Sequence, residues 1–475
     1  MTALKNEFRP MLRLAAPLAL AELGWMAMGA VDTIMAGPLG AAAIGAGSLG
    51  GMLFYPIVVA ATGVLLGMDT LVAQSFGADD PVDCRRTLVD GIWLATVLAP
   101  VLGAVVWALI QAMRAAAINP RVLHLFTPYL KALLWGIPPL LYFTALRRYL
   151  QAVDIVKPVT FTLVSANIIN FVGNYALMYG HWGFPKLGLE GSGYSTSVSR
   201  AYMAAVLLGA VVWSERRSGS PILRISWRPH LARLRRLVAL GFPAAGQLLV
   251  EGAVFGLVSV FAARLEEHAL AAHGIAVNVI ATTYMVPLGI SSAAAVRVGQ
   301  AVGRKDPRAA AASGWSAVAM GALFMAAAGV ALWAVPRWII RIYTRDAAVV
   351  ALGAVLLRIA AFFELFDGLQ TVITGALRGL GETRTPMLAH FLGYWVVGLP
   401  LAYALCFSLG WGAPGIWIGL CAALILVGSI LLAAWLRKST AGGRLSPPVV
   451  FGSQRTDGEN RPPAVQPQKD HETLE

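Results

Sequence analysis

Six residues of this chain could handle a cation, and they stand in apolar surroundings where charge is expensive. Asp32 lies in the run from Met11 to Ala36, Glu251 in GFPAAGQLLVEG, and Asp367 in LFDGLQ. A carboxylate within a membrane span costs at least about 2.5–3.5 kcal/mol, so it usually faces a cavity or a partner. No Lys or Arg stands within a turn or two of these three acids on their own helices. Local ion pairing therefore does not account for them. Asn170 and Asn174 are four apart and share one helix face. Thr196, on the next helix, can join them. Amide and hydroxyl oxygens around Asp32 suit a proton or Na⁺. The plainer alternative is hydrogen bonding between helices, a common use of Asn and Thr in membranes. Glu22 and Glu364 fit either a cavity or a structural hydrogen bond. Asp69, close to one end of its run, is expected to face the membrane interface.

The elements that hold these residues are membrane helices. Apolar residues make up 58% of the chain and charged ones 13%, about half the charged share of a soluble domain. Uncharged runs such as Ala312 to Val335 and Pro386 to Ser408 exceed the roughly 20 residues a spanning helix needs. Twelve spans are expected. The first six are 11–36, 48–75, 88–113, 127–150, 158–179 and 190–213. The second six are 237–262, 271–299, 312–335, 349–377, 386–408 and 415–436. The chain thus reads as an all-α integral membrane protein with two pseudo-symmetric six-helix lobes, 1–213 and 237–438. A basic linker, 214–236, would join them, and a tail, 439–475, rich in Pro and charge, is expected to be disordered.

Repetition supports the two-lobe reading. Gln74, Gly77, Asp80 and Pro81 reappear at one constant offset as Gln300, Gly303, Asp306 and Pro307. The same offset carries Pro17 onto Pro243 and Gly63 onto Gly289. Such repeats in an apolar chain point to a transporter with a site between its halves. Basic residues gather in the linker and in every second loop, which places both termini and the linker in the cytoplasm of a plasma-membrane protein, in a bacterium the inner membrane. That asymmetry accounts for much of the net charge of +13, so no nucleic-acid partner is needed. The linker would lie near anionic lipid heads. Pro17 removes a backbone bond inside the first helix and makes it a natural hinge.

Several classes lose support. There is no GxxxxGK[ST] run, HExxH or GxSxG, and Cys84, Cys406 and Cys421 are scattered. The expectation is no enzyme, no cofactor, and a pump driven by an ion gradient. A passive channel remains an alternative.

The runs VDTIMAG at Val31, LVAQSFGA at Leu71, AAHGIAVN at Ala271, VRVGQAVG at Val296 and LFDGLQTVITGALRGLGETRTP at Leu365 resemble the MATE family of multidrug and toxic-compound extrusion transporters, over about residues 11 to 436. The resemblance implies a monomeric antiporter that expels lipophilic organic cations against inward H⁺ or Na⁺ by alternating access. Glu251 and Asp367 look like the C-lobe acidic pair of the NorM-like branch. Asp32, Asn170, Asn174 and Thr196 match the family's N-lobe ion site. Na⁺, if used, would sit there or at Glu251 and Asp367. Three departures stand out: Gly274 after His273 where many members have Gln, Phe363 in place of Tyr, and Glu382 in place of Asp. A related flippase of lipid-linked precursors is the second reading; it would be expected to carry a cationic cavity.

Overall fold

The computed structural model describes residues 2–115, 120–217 and 226–440. Everything regular in them is helical. The segments are α1 (Thr2–Ala36), α2 (Ala41–Val64), α3 (Gly67–Gly77), α4 (Pro81–Ala115), α5 (Pro120–Leu134), α6 (Ile137–Ala152), α7 (Lys157–Tyr179) and α8 (Leu189–Arg217). Then come α9 (Leu231–Ala263), α10 (Glu267–Gly303), α11 (Pro307–Ala334), α12 (Pro336–Arg341), α13 (Ala347–Gly379), α14 (Arg384–His390), α15 (Leu399–Tyr403) and α16 (Gly412–Thr440). Among the described residues eleven helices are long and apolar enough to cross a membrane. Counting α5 and α6 as one broken span makes twelve.

That break is a departure from the uninterrupted fourth span expected at 127–150. The two pieces meet at 45°. Pro138 and Pro139 open α6; without N–H groups they cannot continue the hydrogen-bond ladder of α5. The second span also differs, since α2 and α3 are separated at Leu65 and Leu66. The expected linker is shorter, because α8 runs on to Arg217 and α9 begins at Leu231. Residues 218–225 of that linker and 441–475 of the tail lie outside the described residues. The eleventh span holds two stretches of wide i→i+5 turns, Phe391–Gly398 and Ala404–Ser408.

The repeated residues have structural duties. Asp80 and Asp306 each accept a hydrogen bond at 2.9 Å from the backbone three residues on, at Asp83 and Ala309. Pro81 and Pro307 are the first residues of α4 and α11. Each Asp-Pro is therefore a helix cap followed by a residue that needs no donor. Asp79 and Lys305, one offset apart, both adopt the left-handed conformation just before the cap.

Gln and Gly of the repeat act across the seam between halves. Gln74 donates to the carbonyl of Gly379 at 3.0 Å, and Gln300 to the carbonyl of Ala152 at 3.1 Å. A Cβ on Gly77 would meet the Gln300 carbonyl oxygen at 2.0 Å, and one on Gly303 the Gln74 oxygen, also at 2.0 Å. Deeper in the seam, Gly63 lies on Ala245 and Gly289 on Ala19, positions again related by the offset. These reciprocal contacts are what a two-fold relation between the halves produces. Apolar bulk points outward, with Ile168, Leu323 and Phe362 each more than 60% exposed. Polar groups such as Asn170, Asn174, Glu364 and Gln370 are fully buried. That inversion suits a hydrocarbon solvent.

Candidate functional site

In the first half, α1 lies alongside α7 in a register fixed by three hydrogen bonds. Thr160 donates to the carbonyl of Pro17 at 3.0 Å, Asn167 to Gly24 at 2.9 Å, and Tyr179 to Met35 at 2.7 Å. Helix α7 starts with Pro158 in its first turn and stops at Gly180, whose φ of 77° reverses the chain. This register turns Asp32 toward α7 and α8. Asn174 Nδ2 donates to Asp32 Oδ1 at 2.7 Å and Thr196 Oγ1 to Asp32 Oδ2 at 3.0 Å. Asn170 joins both, through longer contacts of 3.4 Å to Thr196 and to Asn174. The four residues singled out from sequence thus form one cluster. The side-chain oxygen of Asn174 is buried there with no hydrogen-bond partner. A buried acceptor beside a carboxylate is a place for a donor or a cation. No metal ion is needed to hold the cluster together, but its oxygen donors fit a small hard cation.

One turn beyond Thr196 on α8 stands Arg200, which the sequence reading passed over. It is buried and its guanidinium lies 5.4 Å from the centre of the Phe54 ring. Arg200 is close enough to Asp32 to interact electrostatically but makes no ion pair with it.

The second half gathers acids from α9 and α13. Glu251 and Asp367 lie within each other's electrostatic reach, as do Glu364 and Asp367. Glu251 faces the His390 ring at 3.8 Å, and Gln247 meets the same ring at 3.3 Å. Gln370 Nε2 donates to Asp367 Oδ1 and to the hydroxyl of Tyr394, each at 2.9 Å. Tyr394 sits in the first wide-turn stretch of the eleventh span, and such turns often re-aim side chains at functional sites. The Gln370 side-chain oxygen is buried and unpartnered, as at Asn174. Glu364, which sequence left undecided, accepts from Thr283 Oγ1 at 3.3 Å and joins the group as a third acid. Gln370 and Glu364 were within reach of sequence reasoning, since both lie three residues from Asp367 and share its helix face. Tyr394 and His390 had no such signal.

Arginine sorts the buried acids into two classes. Glu22 pairs with Arg147, Asp69 with Arg148 and Arg378, and Asp83 and Asp90 with Arg233. Asp32, Glu251, Glu364 and Asp367 have no Lys or Arg within ion-pair distance among the described residues. Glu22 is therefore structural. Asp69 corrects the sequence expectation: it is 1% exposed and sits on the seam rather than facing the interface. Of the noted departures, Phe363 stacks on Trp417 at 5.9 Å, and Trp417 also donates to His273, the residue before Gly274, at 3.2 Å. The third, Glu382, takes a hydrogen bond from Lys438 at 2.9 Å.

Comparison with known proteins follows the same two halves. The MatE family model matches residues 17–176 and again residues 243–404. The chain belongs to the MATE family. A probable multidrug resistance protein NorM of Mesorhizobium japonicum is 34% identical over 455 residues, covering 94% of this chain and 97% of its own. The multidrug resistance protein NorM of Burkholderia vietnamiensis is 37% identical, covering 89% and 92%. Among solved structures, the eukaryotic MATE transporter AtDTX14 superposes with a TM-score of 0.82 at 17% identity, covering 92% of this chain and 98% of that one. A MOP-superfamily transporter from Pyrococcus furiosus, described as having a binding pocket of reverse polarity that suggests a different function, matches with a TM-score of 0.82 at 18% identity, over 92% and 96%. This MATE protein is a multi-pass membrane transporter and not an enzyme.

Proposed function

We propose that this MATE protein is a secondary antiporter that exports lipophilic organic cations in exchange for inward H⁺ or Na⁺ by alternating access. The observation that carries the proposal is the split among buried acids. Asp32, Glu251, Glu364 and Asp367 form no ion pair with an arginine among the described residues, while Glu22, Asp69, Asp83 and Asp90 do. An uncompensated carboxylate in a low-dielectric site either takes up a proton or attracts a cation. Both are what an exchanger needs. Glu251, Glu364 and Asp367 would bind the organic cation and release it when H⁺ or Na⁺ arrives. Asp32, with Asn170, Asn174 and Thr196, would hold the coupling ion in the first half. Tyr284 and Tyr394 lie within the field of Glu251 and Asp367, where aromatic rings would favour a bound cation.

The names of the NorM relatives support multidrug export. The fold alone fits both this reading and a flippase of anionic, lipid-linked cargo. Acids without arginines favour cationic cargo. Two six-helix lobes, a cytoplasmic linker between α8 and α9, cytoplasmic termini, an inner-membrane location and a monomer belong to the same proposal. The test is resistance of cells to a lipophilic cation such as ethidium. Glu251→Gln and Asp367→Asn should each abolish it with the protein still present in the membrane. Full resistance in both variants would remove the second-half acids from the site.

A further inference from the structure

The seam holds charges that the exchange reaction does not use, and their arrangement is lopsided. Asp69, on α3, is shared by two arginines through one oxygen. Arg148 Nη1, on α6 of the same half, lies 3.5 Å from Asp69 Oδ2, and Arg378 Nε, on α13 of the other half, lies 3.4 Å from it. The second carboxylate oxygen, Oδ1, is buried and has no hydrogen-bond partner. Next to Asp69, Thr70 Oγ1 donates to the Arg378 carbonyl at 2.6 Å and Gln74 donates to the neighbouring Gly379 carbonyl. The pair Glu22–Arg147 forms within the first half, beside these charges: Glu22 acts electrostatically on Arg378, and Asp69 on Arg147.

Separation of the halves at this end would therefore not leave a bare carboxylate. Asp69 would keep Arg148, and Arg378 alone would lose its partner, at a place where water enters with the opening. A carboxylate paired only across the seam would resist opening far more, because a buried unpaired charge is strongly destabilising. A carboxylate paired only within its own half would give no hold at all. The shared geometry lies between these limits.

We propose that Asp69 is the latch of the passage at the Gly77–Gly303 end, shared by Arg148 and Arg378 when that end is closed and handed to Arg148 alone when it opens. The inference rests on the alternating-access reading, and the test below separates the two.

Spin labels on Val82→Cys and Arg308→Cys, exposed positions related by the repeat offset, would report the width of this end in the purified, reconstituted full chain. The background would carry Cys84, Cys406 and Cys421 replaced by Ala. The latch predicts opposite shifts from two neutralisations. Arg378→Gln should raise the long-distance population about fivefold or more. Arg148→Gln should lower it, because opening would then strand Asp69. Arg378→Lys should restore the wild-type distribution, and the uncharged Arg148→Met serves if the glutamine variant does not fold. Shifts of the same sign, or no shift in either variant, would overturn the latch. If wild type shows only the short distance and Arg378→Gln still lengthens it, the latch stands and alternation fails. If neither shows the long distance, both fail.

Discussion

At the scale of single residues, the account depends on which buried charges lack a partner. Asp32 is held by Asn174 and Thr196, two uncharged donors, and forms no direct ion pair among the described residues. Replacing Asn174 by Val removes one donor and the buried, unpartnered oxygen. It should weaken the apparent affinity for the coupling ion about tenfold, roughly 1.4 kcal/mol, and leave maximal transport near wild type. Ion-dependence curves in reconstituted vesicles would check this. Asp32→Asn should leave a folded protein that binds a fluorescent cation but no longer responds to pH or Na⁺; an unchanged response would take Asp32 out of the coupling site. Asp32, Glu251, Asp367, Asn170 and Asn174 stood out in sequence because a charged or amide group inside an apolar run is conspicuous by itself, whereas Thr196 was named only as a possible neighbour. Asp69 was misread for the complementary reason. Its burial depends on Arg378, which the sequence places in the other half of the chain, and nothing local announces that meeting. Glu22 was left open for the same reason, since Arg147 reaches it only through the fold.

At the scale of elements, the repeated Gln–Gly–Asp–Pro pattern was visible as repetition but not as mechanism. The structure divides it into caps, Asp80–Pro81 and Asp306–Pro307, and reciprocal seam contacts made by Gln and Gly. Gly77→Ala tests the division. In a free helix the change would favour the fold by up to about 1 kcal/mol. Here the new methyl would stand 2.0 Å from a carbonyl oxygen, and backbone must move, so a loss of about 1–3 kcal/mol is expected instead. Gly103→Ala, where nothing lies within 4 Å, should be neutral or mildly stabilising. Thermal melts in detergent would show the contrast, and equal behaviour of the two variants would contradict the seam. The kinked fourth span shows the limit of pattern reading. Hydropathy marks it as one stretch, while two adjacent prolines inside it stop one helix and start another.

For the whole molecule, hydropathy and charge asymmetry were enough to give the class, the number of spans and an expected orientation. Cysteine at Ser226, between α8 and α9, should resist an impermeant thiol reagent in intact cells, whereas cysteine at Phe184, between α7 and α8, should react. The reverse pattern would invert the protein in the membrane. What composition could not supply was the pairing of charges across the fold, on which the proposed exchange of cations rests. The decisive measurement is uphill movement of a lipophilic cation in proteoliposomes that hold only this protein. With an imposed H⁺ or Na⁺ gradient, wild type should drive the cation against its own gradient, and the Glu251→Gln, Asp367→Asn double variant should not. Movement of the cation only down its gradient in wild type, or uphill movement that survives in the double variant, would contradict the account.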